Sequence, residues 1–215
     1  MPKIIKNIRE QLLAETRAQV ERQGYGSTTI RSVANACGIA VGTVYNYFPS
    51  KDLMIASYME EDWKQSLAKM KARCGESAES FLRRIYNGLK LFMRQHRALF
   101  SDREAKQSYA NAFPLYHGRL RRQIASLILP LCHEKEERDR KYLAAFIAES
   151  VITWAQAGAP FDTLYGVLKK LIREDNDHEQ CFCVFCPNGT DRFYSRAAFR
   201  SYGGLAAAGS LRQDG

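Results

Sequence analysis

Residues 28–51 read TTIRSVANACGIAVGTVYNYFPSK, the most informative pattern in the chain. Hydroxyl side chains at positions 28 and 29 can cap a short helix, which we expect to end at Gly38. A second short helix follows from Ala40 to about Tyr47, and Pro49 with Ser50 then breaks the chain. Two short helices joined at a glycine are typical of a helix-turn-helix, in which the second helix lies in the DNA major groove.

The second helix carries side chains that suit a DNA surface. The methyl groups of Val41 and Thr43 can contact a thymine methyl, and Asn46 can pair with an adenine edge. The hydroxyls of Tyr45 and Tyr47 can donate to phosphates. The alternative for the two tyrosines is that they pack the core of a small three-helix unit.

The next predicted helix begins at Lys51 and runs to about Arg73, with Ser50 as its cap. At the start of a helix, the Lys51 ammonium and the free backbone amides would face the same phosphate. The alternative for Lys51 is a solvated charge at the beginning of a helix.

This part of the chain resembles the TetR family of transcriptional repressors. The residues that match the family pattern are Gly24-Tyr25, Thr28-Thr29-Ile30, Ala34 to Ile39, Gly42 to Phe48, and Ser50 to Leu53. The match covers about residues 8–55 of 215. Two features depart from the family: Thr16 stands where alanine is usual, and a long tail follows Ile172.

The resemblance implies a role for eight residues. Those that would contact the DNA backbone are Thr29, Tyr45, Tyr47 and Lys51. Those that would face bases are Arg31, Val41, Thr43 and Asn46.

Beyond this region the pattern stays helical, which predicts an all-α fold. Apolar residues recur at helical spacing, and we find no alternating strand pattern of useful length before residue 174. The predicted helices include one from Lys3 to Gln23, ended by Gly24, and one from Phe100 to Ala110.

We expect a three-helix helix-turn-helix domain over residues 1–50 and a helical ligand-sensing and dimerisation domain over residues 51–174. Residues 175–215, rich in Gly, Ala and charge, are predicted to be a disordered tail.

The last two predicted helices, around residues 137–157 and 160–173, are expected to pair with their copies in a homodimer. A dimer places two recognition helices roughly 34–36 Å apart, so the predicted partner is palindromic double-stranded DNA.

Aromatic and methionine side chains are frequent between residues 54 and 154, and we expect most of them in the helical core. The resemblance implies that some line a cavity for a small-molecule inducer, and such walls suit lipophilic or aromatic molecules. The candidates are Trp63, Phe92, Tyr109, Phe113, His117 and Glu149. For His117 and Glu149, a satisfied polar group in the core is the alternative.

Composition and motifs argue against other classes of protein. The formal net charge of +9 favours a polyanionic partner. No run of about 18 apolar residues predicts a membrane span, and no secretion signal begins the chain, so we expect a cytoplasmic protein. GxSxG, HExxH and P-loop motifs are absent, which argues against an enzyme and against a cofactor.

Two alternatives stay open at this point. His178, Cys181, Cys183 and Cys186 could hold zinc, although a second distant pair of ligands is missing. The rival to a repressor is a non-DNA helical interaction module that binds a protein or an anionic membrane surface.

Overall fold

The computed structural model describes residues 7–110 and 113–172, and the regular elements within them are all helical. The α-helices are α1 (Ile8–Ser27), α2 (Ile30–Cys37), α3 (Val41–Tyr47), α4 (Lys51–Met70), α5 (Ala78–Gln95), α6 (Arg97–Ser101), α7 (Arg103–Tyr109), α8 (Phe113–Ile128), α9 (Glu137–Ala157) and α10 (Phe161–Leu168). A short 3-10 helix, Leu129–Leu131, follows α8. The prediction of an all-α fold is confirmed. None of the helices described is long and apolar enough to cross a membrane.

Gly24 interrupts α1 where the sequence predicts its end. Its φ of 82° and ψ of 172° are non-helical, in a region that glycine adopts readily. After this break the Tyr25 side chain enters the core, and the Thr28 hydroxyl donates to the Gly24 carbonyl at 2.8 Å. The predicted start at Lys3 lies outside the described residues.

The region predicted as one helix, Phe100 to Ala110, contains parts of two helices. The chain breaks at Asp102, whose φ of −70° and ψ of 131° are extended. The Asp102 carboxylate accepts the backbone N–H of Ala105 at 2.9 Å and thereby caps α7. The single-helix prediction is wrong because Asp102, inside the predicted span, acts as an N-cap.

Buried apolar side chains form two cores, and α4 contributes to both. The N-terminal core joins α1–α3 to the first half of α4, and it includes Leu99 of α6 and Ala105 of α7. The C-terminal core joins Met70, at the end of α4, to α5, α8, α9 and α10. The division into domains at residue 50 stays a prediction, since the N-terminal core takes in side chains beyond that residue.

A polar and aromatic junction attaches α7 to the N-terminal core. The Tyr25 hydroxyl donates to the Asp52 carboxylate and lies 2.9 Å from the Ser108 hydroxyl. The Tyr109 hydroxyl donates to the Asp52 carbonyl at 2.9 Å, and its ring meets that of Tyr25 edge-on at 6.2 Å. Burial raises the pKa of both tyrosines, so they remain protonated donors. The end of α1, the start of α4 and the end of α7 are therefore held together.

A partly buried ion pair links α1 to α4 and contacts the end of α5. The Arg17 guanidinium donates to both Asp62 carboxylate oxygens, at 2.5 and 3.1 Å. His96 lies beside this pair, with its Nε2 3.3 Å from an Asp62 oxygen and its ring stacked on Tyr58. Burial, together with the Arg17 charge, lowers the pKa of His96 to about 4. His96 is therefore neutral in the folded protein at pH 7.

This environment predicts an acid-dependent loss of stability. The pKa of His96 falls from its usual 6.5 to about 4 on folding. Above pH 6.5 the imidazole is neutral in both the folded and the unfolded chain, so the free energy of unfolding has its full value there. As the pH drops from 6.5 towards 4, the unfolded chain takes up a proton that the folded chain excludes. We expect the free energy of unfolding to fall by up to about 3 kcal/mol across this window.

Urea unfolding at pH 7, 6 and 5 measures this effect, with His96→Gln as the comparison. The variant should show a flatter pH dependence, and Asp62 is present in both proteins, so its own titration largely cancels. Equal pH dependence in the two proteins would show that His96 is not the responsible group.

Candidate nucleic-acid interface

The turn between α2 and α3 has the geometry that the sequence predicts. Gly38 has φ 65° and ψ 32°, a left-handed conformation that favours glycine. Its N–H donates to the Asn35 carbonyl at 3.1 Å, and the Ile39 N–H donates to the Ala34 carbonyl at 2.9 Å. Ile39 is buried. These bonds end α2 and fix the angle at which α3 begins.

Thr29 caps α2 from an exposed position. Its side-chain oxygen accepts the Ser32 N–H at 2.9 Å, and the Ser32 hydroxyl oxygen accepts the Thr29 N–H at 3.0 Å, which completes a capping box. The Thr29 hydroxyl hydrogen remains available to a partner, because the oxygen serves the cap as an acceptor.

Helix α3 is anchored on one side and open on the other. Val44 and Phe48 are buried in the N-terminal core, at 0% and 3% exposure. Tyr45 and Tyr47 are 52% and 44% exposed, and Asn46 is exposed between them. The alternative that the two tyrosines pack the core is therefore wrong. Their hydroxyls are available to an external acceptor.

Few side chains protrude at the beginning of α3. Val41 and Thr43 are half-buried, and a Cβ placed on Gly42 would meet nothing within 4 Å. Packing within the described chain therefore does not require glycine at this position. Its absent side chain allows another molecule to approach the α3 backbone closely.

Lys51 makes an internal contact that the sequence did not predict. Its ammonium donates to the Tyr25 carbonyl at 3.0 Å and lies 3.7 Å from the centroid of the Tyr25 ring. The alternative of a purely solvated charge is therefore wrong. An ammonium has three hydrogens, so a phosphate contact stays possible and stays a prediction. The missed partner is 26 residues away, beyond the reach of a local pattern.

Comparison with known proteins identifies this region. Residues 12–58 match the family model described as bacterial regulatory proteins, tetR family. The helix-turn-helix segment matches the TetR family. The HTH-type transcriptional repressor KstR of Mycobacterium tuberculosis is 33% identical over 75 residues, which are 35% of this chain and 34% of that protein. The chain thus matches about a third of the length of this curated relative.

Solved structures share the TetR fold over a longer span. Salmonella enterica GusR superposes with a TM-score of 0.57 and 15% identity, covering 80% of this chain and 99% of that one. A TetR-family transcriptional regulator from Streptomyces coelicolor has a TM-score of 0.50 and 15% identity, covering 77% and 95%. At this identity the likeness concerns the fold alone.

The structure does not gather the six candidate ligand contacts into one site. The rings of Trp63 and Phe92 meet edge-on at 5.2 Å, and the Trp63 indole N–H donates to Gln123 at 2.8 Å. Tyr109 instead belongs to the junction with α1 and α4. The Phe113 side chain lies outside the described residues.

The two polar candidates differ in their surroundings. Glu149 forms an ion pair with Arg121 at 2.6 Å between α9 and α8, which is a partly exposed position rather than a core one. His117 is half-buried, and burial lowers its pKa. The part that these six residues play in ligand binding stays a prediction.

Several exposed apolar side chains lie on α9, on α10 and just after α10. Tyr142 and Phe146 lie one turn apart on α9, and Phe146 is 58% exposed. Val167 of α10 is 60% exposed, and Leu171 lies one turn further on. Large apolar side chains at this exposure are typical of a surface that another chain covers.

The predicted zinc ligands, residues 178–186, and the predicted tail lie outside the described residues. Within residues 7–110 and 113–172, no group of three or more His, Cys, Asp and Glu side chains is placed to hold a metal ion.

Proposed function

We propose that this chain is a cytoplasmic transcriptional repressor, not an enzyme, which binds palindromic double-stranded DNA as a homodimer and is released by a small-molecule inducer. The observation that carries the proposal is the two-sided character of α3. Val44 and Phe48 hold the helix in the core, while Tyr45, Asn46 and Tyr47 point away from it. Three adjacent polar side chains on a short, rigidly anchored helix suit contact with a DNA groove and its phosphates.

The proposed roles divide by chemistry. The hydroxyls of Thr29, Tyr45 and Tyr47 and the Lys51 ammonium would donate to phosphates. These contacts place the protein on the duplex but carry no sequence information. Arg31, Val41, Thr43 and Asn46 would face base edges, where guanidinium, methyl and amide groups distinguish the base pairs.

The homodimer proposal rests on the exposed apolar surface of α9 and α10. A two-fold interface uses the same residues of both subunits, so Phe146 and Val167 would be buried in each subunit. Dimerisation would also fix the spacing between the two copies of α3, which a palindromic site requires.

The junction at Tyr25 supports the proposed release by an inducer. Because Tyr109 binds the Asp52 carbonyl, a ligand that displaces α7 would also displace the start of α4 and the end of α1. Such coupling between two sites is typically worth about 1–3 kcal/mol, or roughly 5–150-fold in affinity.

A salt titration of DNA binding tests the proposal. We expect wild-type protein to bind a subset of genomic fragments, with an affinity that falls steeply as salt rises. Lys51→Ala should weaken binding to all sequences alike and reduce the salt slope by about one unit per subunit, because one phosphate contact is lost. Lys64→Ala provides the control, since Lys64 lies on the same helix, exposed and paired with Glu60.

The outcomes separate the roles of Lys51. A slope that is unchanged in Lys51→Ala, with a lower melting temperature, would mean that Lys51 serves only to hold α4 against Tyr25. A wild-type protein with no sequence preference on duplex DNA would contradict the repressor proposal and favour the non-DNA interaction module.

A further inference from the structure

A cleft between α4 and α5 brings basic and apolar side chains together. Its volume is about 350 Å³, within the range of sites that hold small organic molecules. Lys69, Arg73 and Arg84 are among the residues that line it. None of the six ligand candidates taken from the sequence lines this cleft.

The cations of the cleft exceed the anions available to neutralise them. Arg84 is largely buried and pairs with Glu76. The side chains of Lys69 and Arg73 pair with no carboxylate of the described residues. Burial and the nearby charge of Arg73 lower the pKa of the Arg84 guanidinium. Two guanidinium groups that repel each other in a partly closed cleft favour a bound anion.

The one carboxylate that lines the cleft does not supply this anion. Asp62 lies about two turns of α4 before Lys69. Both of its oxygens already accept hydrogen bonds from Arg17, at 2.5 and 3.1 Å. With Arg84 paired to Glu76, Lys69 and Arg73 therefore keep an uncompensated positive charge in the cleft.

Apolar surface adjoins the cations. Met70 is fully buried against α5 because Gly88 has no side chain, and a Cβ on Gly88 would lie 2.6 Å from the Met70 methyl carbon. Leu91 lines the same cleft and is about half exposed. A molecule held by the cations would therefore also cover the exposed Leu91 side chain.

We propose that this cleft binds a small organic anion. Its carboxylate or phosphate group lies between Arg73 and Arg84, and its apolar part covers Leu91. Planar guanidinium groups match such oxyanions with paired hydrogen bonds. As a regulatory site this inference rests on the proposed repressor function, whereas the binding itself does not.

Calorimetric titration of the full chain without DNA tests the binding. The probes are octanoate, octan-1-ol as its neutral analogue, and inorganic phosphate as an anionic group without an apolar part. We expect octanoate to bind at one site per chain, at least about tenfold more tightly than either of the others. Arg73→Gln and Lys69→Gln should each weaken octanoate binding about tenfold. Both residues are exposed, so these variants should fold.

Arg94→Gln is the matched control, because Arg94 is exposed on α5 and does not line the cleft. Wild-type affinity in Arg73→Gln, equal binding of octan-1-ol, or no octanoate binding at millimolar concentration would overturn the proposal. Phosphate binding as tight as octanoate binding would show that apolar contacts contribute nothing, and it would overturn that part of the proposal. Since no DNA is present, failure here leaves the DNA-binding proposal intact, and the converse also holds.

Discussion

Phe48→Ala should lower the free energy of unfolding by about 3–5 kcal/mol and abolish DNA binding. Phe48 is 3% exposed and, with Val44, is one of the two side chains of the α3 segment that are buried in the N-terminal core. Removing its ring leaves a cavity that the short helix cannot fill by moving, because α3 has seven residues and a fixed turn before it. Urea unfolding and a fluorescence-based DNA titration measure the two effects.

The neighbouring aromatic residue supplies the control. Tyr47 is 44% exposed, so Tyr47→Ala should change stability by no more than about 0.5 kcal/mol. It should nevertheless weaken DNA binding, because a phosphate donor is lost. If Tyr47→Ala destabilised the protein as much as Phe48→Ala, the two-sided description of α3 would be incorrect.

Phe146→Glu should convert a dimer into a monomer. Phe146 is 58% exposed in the single chain, and a two-fold interface would contain it twice. Placing two carboxylates in an apolar contact should weaken dimerisation by about 4 kcal/mol or more, roughly a thousandfold. Sedimentation velocity at micromolar concentration measures the shift, and Val167→Glu should reproduce it.

Tyr116→Glu tests whether the effect is specific to α9 and α10. Tyr116 is a similarly exposed aromatic residue on α8, so its replacement should leave the dimer intact. A wild-type chain that sediments as a monomer would contradict the proposed interface and, with it, the expectation of a palindromic operator.

Helices α2, α3 and the start of α4 were predictable because their signals are local. Thr29, Gly38 and Ser50 each act within a few residues, as a cap or a left-handed turn, and the structure places all three as expected. The same local reasoning failed at Asp102, since an aspartate is equally acceptable on a helix surface and at an N-cap.

Contacts between distant residues could not be predicted. Lys51 meets Tyr25 only because α1 and α4 pack together. The cleft could not be predicted either, because Arg73 lies beyond the end of α4, where helical spacing no longer applies. Arg84 joins Lys69 and Arg73 only through the packing of α5 against α4. The ligand candidates were chosen by residue type alone, and type does not determine which side chains share a cavity.

The close approach of Gly88 to Met70 constrains how the sequence can change over evolution. With 2.6 Å between a hypothetical Cβ and the methionine methyl, a larger residue at position 88 requires the Met70 side chain to shift or position 70 to become smaller. The two positions are therefore coupled: the order in which they mutate decides whether an intermediate sequence folds well. Diversification of the cleft would have to follow that order, which narrows the accessible routes to a new ligand preference.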